Sequence, residues 1–224
     1  RYLAVTGVQT CALPISFQIY PALDGSEADD SDFIPYHWHP ELEIITVDAG
    51  HVSLTIADHT YEGTHGDVFF AAGEELHEIR AAGRENQFRS FVFAADFLQF
   101  SRADQSEFAL LSPLAEGRLR FGTCIRAGEP GQSEIRALLA QIVRAWQVQA
   151  PGCQLAVKAA LLGIVAVCAQ YGRLVGHQMR PGADYKAQQL KEIVGYLGEH
   201  FTEPLSLSAV AAEDRKSTRL NSSH

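Results

Sequence analysis

The segment "HWHPELE" places His37, His39 and Glu43 two and four residues apart. Alternate residues of an extended strand share one face, so these three side chains can converge, with Ile45 and Val47 continuing the same face. Strict parity would add Glu41, but Pro40 interrupts the pleat there. His77 follows the turn "AAGEEL" and offers a further imidazole, which an antiparallel neighbouring strand would bring alongside. Neutral imidazoles with one carboxylate would suit a divalent transition metal with open coordination positions. The same side chains can instead hydrogen-bond a small ligand, or satisfy one another as an inward polar group. Spacing alone leaves these readings open. Tyr36, Trp38 and Phe69 stand near the set and would add apolar or stacking surface to a pocket, or pack as core and rim. His51, His59 and His65 have no partner pattern and read as turn and strand-surface residues.

The elements around these residues change character along the chain. From Phe17 to about Phe93, short β-rich runs ("FQIY", "LEIITVDA", "HVSLTIA", "HTYEG", "GDVFFAA", "FRSFVFA") are punctuated by Gly, Asp and Asn, the pattern of a small antiparallel barrel or sandwich. "LDGSEADDSD" reads as an acidic loop, and Ala94 to Arg120 gives no single period. From Gln132 the spacing becomes helical, with Ile135, Leu138, Leu139, Ile142, Val143 and Trp146 on one side. "APG" then breaks the helix. A second run to about Tyr171 places Leu155, Leu161, Leu162, Val165 and Cys168 on an apolar surface, so the two helices form a hairpin that either covers the barrel or pairs with a second copy. "GRLVGHQMRPGADYK" reads as a linker. Beyond it, "AQQLKEIVGYLGEHFTEPLSLSAVAAE" starts one helix, turns at a proline and starts another, with Ser206 or Ser208 available as an N-cap.

Both ends look foreign. The tail "DRKSTRLNSSH" (Asp214 to His224) admits a coding DNA whose reverse complement, read in frame, encodes "VTGVQTCALPI" (Val5 to Ile15). Such DNA resembles a sequencing adapter read in two orientations, so residues 1–16 and 214–224 are read as an artefactual leader and tail. Setting aside Asp214, Arg215, Lys216 and Arg219 takes the 27 acidic and 18 basic residues to 26 and 15, and the formal charge from -9 to -11. That is the wrong sign for a nucleic-acid-binding surface, so any DNA reader is expected outside this sequence. Of the 4 cysteines, Cys11 goes with the leader. Cys124, Cys153 and Cys168 have no C-x-x-C spacing and read as reduced core residues of a cytoplasmic protein. The most apolar run, "LAVKAALLGIVAVCAQY", carries Lys158 and reads as a buried helix, with no membrane partner.

His37-x-His39-x3-Glu43-x6-Gly50 resembles the first cupin motif. Gly66 followed by "DVFFAAGEELH" resembles the second, with Ala72-Gly73 in place of its usual Pro-Gly turn and without its closing Asn and Gly. The longer wording "YHWHPELEIITVDAGHVSLTIADHTYEGTHGDVFFAAGEELHEI" resembles the effector-binding domain of AraC-type transcription regulators. The order of barrel, helical connector and helix-turn-helix opening resembles theirs too. That resemblance implies an α+β chain: a cupin-like double-stranded β-helix barrel over 17–125, a helical hairpin for dimerisation plus linker over 126–180, and the start of a truncated helix-turn-helix domain over 185–213. It implies a cytoplasmic, effector-responsive regulator rather than an enzyme. The effector would meet His37, His39, Glu43, His77, Trp38 and Tyr36; His37, His39, Glu43 and His77 would be the ligands of any metal. The partners implied are a small-molecule effector, a second copy through residues 132–171, and DNA only through the missing C-terminal part, whose contact residues are unknown. The alternative is a metal-dependent cupin enzyme, a dioxygenase or isomerase, using the same four ligands.

Overall fold

The computed structural model describes residues 17–20, 32–81 and 85–177. The expected leader, helix-turn-helix opening and tail lie outside them. Within them, eleven strands precede, enclose or follow the helices: β1 Phe17–Tyr20, β2 Asp32–His37, β3 Leu42–Ala49, β4 His51–Ile56, β5 His59–Thr64, β6 Val68–Ala71, β7 His77–Ala81, β8 Gln87–Phe93, β9 Leu119–Phe121, β10 Cys124–Ile125 and β11 Leu174–Gly176. One antiparallel sheet runs β1-β8-β3-β6-β10 and a second runs β2-β7-β4-β5.

Burial patterns say which faces are covered. β4 alternates, with Val52, Leu54 and Ile56 buried and His51 exposed, because only one face of the second sheet is packed. β3 does not alternate: Leu42 through Val47 are all buried. Ile45 and Val47 point inward with Val52, Leu54, Ile56, Phe69, Ile79 and Phe88, filling the space between the sheets. Ile44 points the other way, with Phe70, Phe91 and Phe93, onto a second apolar layer. Each fully buried side chain of this size is worth roughly 1.5–3 kcal/mol.

That second layer is made by two helices, α2 Gln132–Val148 and α3 Cys153–Gln170, which pack on each other and on the outer face of the first sheet. The remaining helical pieces are a 3-10 turn Ala95–Leu98 and a π-helical turn Glu107–Leu111 that runs into α1 Ser112–Ala115. Ile135, Leu139 and Ile142 of α2 meet Val157, Ala160, Leu161, Ile164, Val165 and Cys168 of α3 in the same core. Gly163 lets the helices approach, since a Cβ there would lie 3.2 Å from the Leu138 side chain. Phe17 meets Trp146 edge-on at 5.2 Å, tying β1 to α2. α3 is long and apolar enough to cross a membrane by length and composition, yet a third of it is buried in this core. Its Lys158 donates to the Gln99 carbonyl at 3.1 Å and lies over the Phe97 and Phe100 rings, which explains a cation in so apolar a helix.

Three expectations need correction. "HWHPELE" does not lie on one strand: β2 ends at His37 and β3 begins at Leu42, with a loop through Pro40 between them. The stretch beginning at Gly172 is not all linker, because β11 pairs antiparallel with β9, Leu174 opposite Phe121. Leu155 is 73% exposed and takes no part in the buried surface of α3.

Gly50 of the first motif has a structural reason. It turns β3 into β4 at φ +64°, and a Cβ there would fall on the Asn86 side chain, whose Oδ1 accepts the His51 amide at 2.7 Å.

Candidate functional site

The four candidate ligands come from three strands and one loop. His37 ends β2 and faces His77 at the start of β7 across an antiparallel pair, after a bulge that follows Ile34. Glu43 sits at the start of β3, inward like Ile45. His39 is on the loop between β2 and β3, and that loop is pinned from outside: the Glu74 amide donates to the His39 carbonyl at 2.8 Å. Gly73 has to be glycine-sized here, since a Cβ would lie 2.5 Å from the Pro40 carbonyl oxygen.

One ligand atom from each of His37, His39, Glu43 and His77 lies within 4.8 Å of the others. The rings crowd together, with the His37 and His77 centroids 4.1 Å apart and those of His39 and His77 5.2 Å apart. Every imidazole turns Nδ1 to a backbone carbonyl: His37 to Pro35 at 2.9 Å, His39 to Glu41 at 3.1 Å, His77 to Glu75 at 2.8 Å. A carbonyl only accepts, so Nδ1 carries the proton and a neutral ring keeps its lone pair on Nε2. That carbonyl anchoring is the outer support that metal-binding histidines use to fix tautomer and orientation.

The carboxylate completes the cluster. Glu43 Oε2 lies 3.0 Å from His39 Nε2 and 2.9 Å from His77 Nε2. The balance of burial and charge differs between the rings. For His77, burial opposes the charge, but the hydrogen bond and charge of Glu43 and the Glu75 carbonyl outweigh it and raise its pKa. Burial would raise Glu43, yet the His39 and His77 hydrogen bonds hold it well below the usual carboxylate range. His37 is pushed down, first by burial and then by the charge of His77, so it is the ring kept neutral. The donor set fits a divalent transition metal: three imidazoles anchored through Nδ1 and one ionised carboxylate. Loss of the extra His77 proton would accompany binding.

The aromatic expectations divide. Phe69 is fully buried in the packing between the sheets. Trp38 is half-buried on the loop beside His37. Tyr36 is 40% exposed and lies near enough to Arg80 to influence it electrostatically. His51, His59 and His65 are all exposed.

Sequence reasoning missed residues on the wall formed by β1 and β8. The register aligns Gln18, Val92 and Glu43 in one row on the inner face, and Tyr20, Ser90 and Ile45 in the next. The Tyr20 hydroxyl donates to Gln18 Oε1 at 2.5 Å, and burial together with the charges of Glu43 and Glu41 raises its pKa. Polar residues at alternate positions of "FQIY" were the available signal.

A family model for the AraC-like ligand binding domain matches residues 20–165, more than half of the chain and all four clustered residues. No curated protein matches it. Among solved structures, a Bacillus subtilis oxalate decarboxylase is similar at 23% identity, TM-score 0.26, over 29% of this chain and 18% of that one. A conserved Streptococcus pyogenes protein of unknown function is similar at 19% identity, TM-score 0.26, over 34% of this chain and 74% of that one. The chain thus spans under a fifth of the oxalate decarboxylase, and superpositions this partial carry no argument about chemistry.

Proposed function

The chain belongs to the AraC-like ligand binding domain family, and from that premise we propose that it is the effector-sensing part of a cytoplasmic DNA-binding transcription regulator, not an enzyme. The observation that carries the proposal is that the matched segment runs through both the site and the helices packed behind it. The small-molecule effector meets the face formed by His37, His39, Glu43 and His77, with Trp38 at its edge. A divalent metal held by those four residues would supply a positive, polarising centre for an oxygen-bearing ligand. The chain's own groups orient that centre: the Pro35, Glu41 and Glu75 carbonyls aim the imidazoles, and Glu43 balances their charge.

The output surface is the helical layer. Leu155, Ala159, Leu162 and Ala166 form an apolar stripe on α3 that the barrel does not cover fully, and this stripe joins two copies. DNA is read by the C-terminal helix-turn-helix domain that opens at 185–213, and effector binding favours one presentation of the paired readers. A metal-dependent cupin enzyme, a dioxygenase or isomerase, is the second reading; the complete set of four donors favours it.

Two measurements separate these readings. The full-length regulator should show effector-dependent binding to its promoter DNA. Elemental analysis before and after chelation gives the metal content, and promoter binding that no small molecule alters, together with stoichiometric metal and turnover, would reject the sensor.

A further inference from the structure

The inner face of the first sheet is closed to water along the Ile45 row and open at one edge. Phe88, Ser90 and Ile45 are buried, whereas Val92 and Gln18 are half-buried and Tyr20 is 41% exposed. Register puts Gln18, Val92 and Glu43 in one row, with Tyr20 at the end of the next. Phe17 and Ile19, which alternate with these two on β1, are buried in the helical layer, so Gln18 and Tyr20 face inward. The row therefore presents an accessible apolar floor, Val92, between two polar ends: Glu43 with its histidines, and Gln18 with Tyr20.

The second end has hydrogen-bonding capacity to spare. The Tyr20 hydroxyl donates to Gln18 Oε1 at 2.5 Å, which holds the carbonyl end of that amide. Its NH2 carries two donors and has no partner among the described residues. Strand spacing then sets the size of an occupant. β8 separates β1 from β3, so the Gln18 and Glu43 backbones stand roughly 9–10 Å apart. Hydrogen bonds of about 2.9 Å from each end leave roughly 4–6 Å between two ligand oxygens, the span of opposite substituents on a six-membered ring. We propose that Gln18 is a specificity-determining residue whose NH2 binds the far oxygen of an effector, while the near oxygen meets the face formed by His37, His39, Glu43 and His77. The occupant is a ring-sized compound with oxygens at opposite ends and its apolar body over Val92. The assignment rests on the effector-sensing reading of that face and needs no bound metal.

The probes are trans-1,4-cyclohexanediol and cyclohexanol, which share a ring and differ in the far oxygen. Each is titrated into the full-length wild type, Gln18→Leu, Gln18→Glu and a His39→Ala, Glu43→Ala double variant, with the melting temperature of each protein alongside. Wild type should prefer the diol by about three- to ten-fold, the worth of one hydrogen bond. Both Gln18 variants should lose that preference while keeping wild-type affinity for cyclohexanol and an unchanged melting temperature. Gln18→Glu is the sharper of the two, because it keeps the shape and the acceptor for Tyr20 and removes only the N–H donors. A preference that survives in Gln18→Leu, or a wild type that binds the two probes equally or not at all, would overturn the assignment. Equal weakening of both probes with a fall in melting temperature would also overturn it, by showing a packing role. The double variant tells the two failures apart. If it abolishes diol binding while Gln18→Leu keeps the preference, the sensing face stands and Gln18 falls. If it leaves both probes bound as in wild type, the sensing reading of that face is refuted with it.

Discussion

Asp67 offers a test of how the barrel is joined to the helices behind it. It is 2% exposed at the turn before β6, and its carboxylate accepts four hydrogen bonds: the Thr64 amide at 2.9 Å, the Thr64 hydroxyl at 3.3 Å, Arg126 at 2.8 Å and the Ala127 amide at 2.8 Å. Asp67→Asn keeps the shape but turns an NH2 toward donors on one side, orphaning at least one backbone N–H. That costs about 1–3 kcal/mol, and the remaining bonds lose their charge assistance. Arg126 is 44% exposed and returns to water, so its share is small. A total of about 3 kcal/mol corresponds to a fall in Tm of about 6–12 °C for a domain of this size. The pH dependence adds a second readout. Burial would raise the Asp67 pKa, but the Thr64 and Ala127 amides and Arg126 lower it overall. The folded state therefore holds its proton less tightly than an unfolded carboxyl of pKa about 3.9, so the stabilisation is complete above that value and lost as pH falls through the folded pKa. Thermal melts of both proteins from neutral pH downward should show a gap that closes in acid. A gap below about 2 °C at neutral pH, or one that persists unchanged into acid, would refute the account.

Three other outcomes follow from the same geometry. On the proposed sensing role, a His39→Ala, Glu43→Ala double variant of the full-length protein should lose effector response while remaining folded by circular dichroism; an unchanged response would remove those residues from sensing. Tyr36→Ala should leave cobalt affinity unaltered in titration, because that side chain is outside the cluster, and a loss of about ten-fold or more would return it to the site. On the proposed dimer, Leu155→Glu should shift sedimentation toward monomer with a stability change within about 0.5 kcal/mol of neutral, as expected of an exposed position. A dimer that persists would move the interface elsewhere.

Legibility in the sequence followed the physical strength of each signal. β3 could be read from Leu42 to Ala49 because Leu42, Ile44, Ile45, Thr46 and Val47 make a dense run of apolar and β-branched residues, and with Glu43 among them six residues in a row are buried. β7 left a weak signal because its inward side chains are His77, Ile79 and Ala81, with one large apolar residue among them, while Glu78 and Arg80 bond each other on its other face, 2.9 Å apart. β2 carries Pro35 and a bulge, so its pattern fades before His37. Ala94 to Arg120 had no period to find: the buried Glu107 accepts the Phe100 amide and the Ser112 hydroxyl within a π-helical turn, an arrangement set by tertiary contacts. Motif spacing singled out His37, His39, Glu43 and His77, which the fold brings together, although two strands and a loop hold the first three in place of the single strand supposed. Ser90 and Tyr20 enter through cross-strand register, which a lone serine or tyrosine does not announce.

The strand that bears Glu43 also explains why site and helices form one unit. β3 begins with the carboxylate inside the barrel and ends at Val47 and Asp48, where Arg136 of α2 donates to the Val47 carbonyl at 3.3 Å and lies 3.6 Å from the Asp48 carboxylate. Gln132, at the start of α2, donates to the Gly66 carbonyl at 2.6 Å, and the Gly66 amide in turn donates to Val47 at 3.0 Å. Between these ends, Ile45 packs inward and Ile44 outward, so the strand cannot shift without disturbing both cores. A change in how Glu43 is held therefore has a continuous, packed route to the first turn of α2. Proximity alone does not make such a route a signal. It becomes one only where α2 has two arrangements that the site biases.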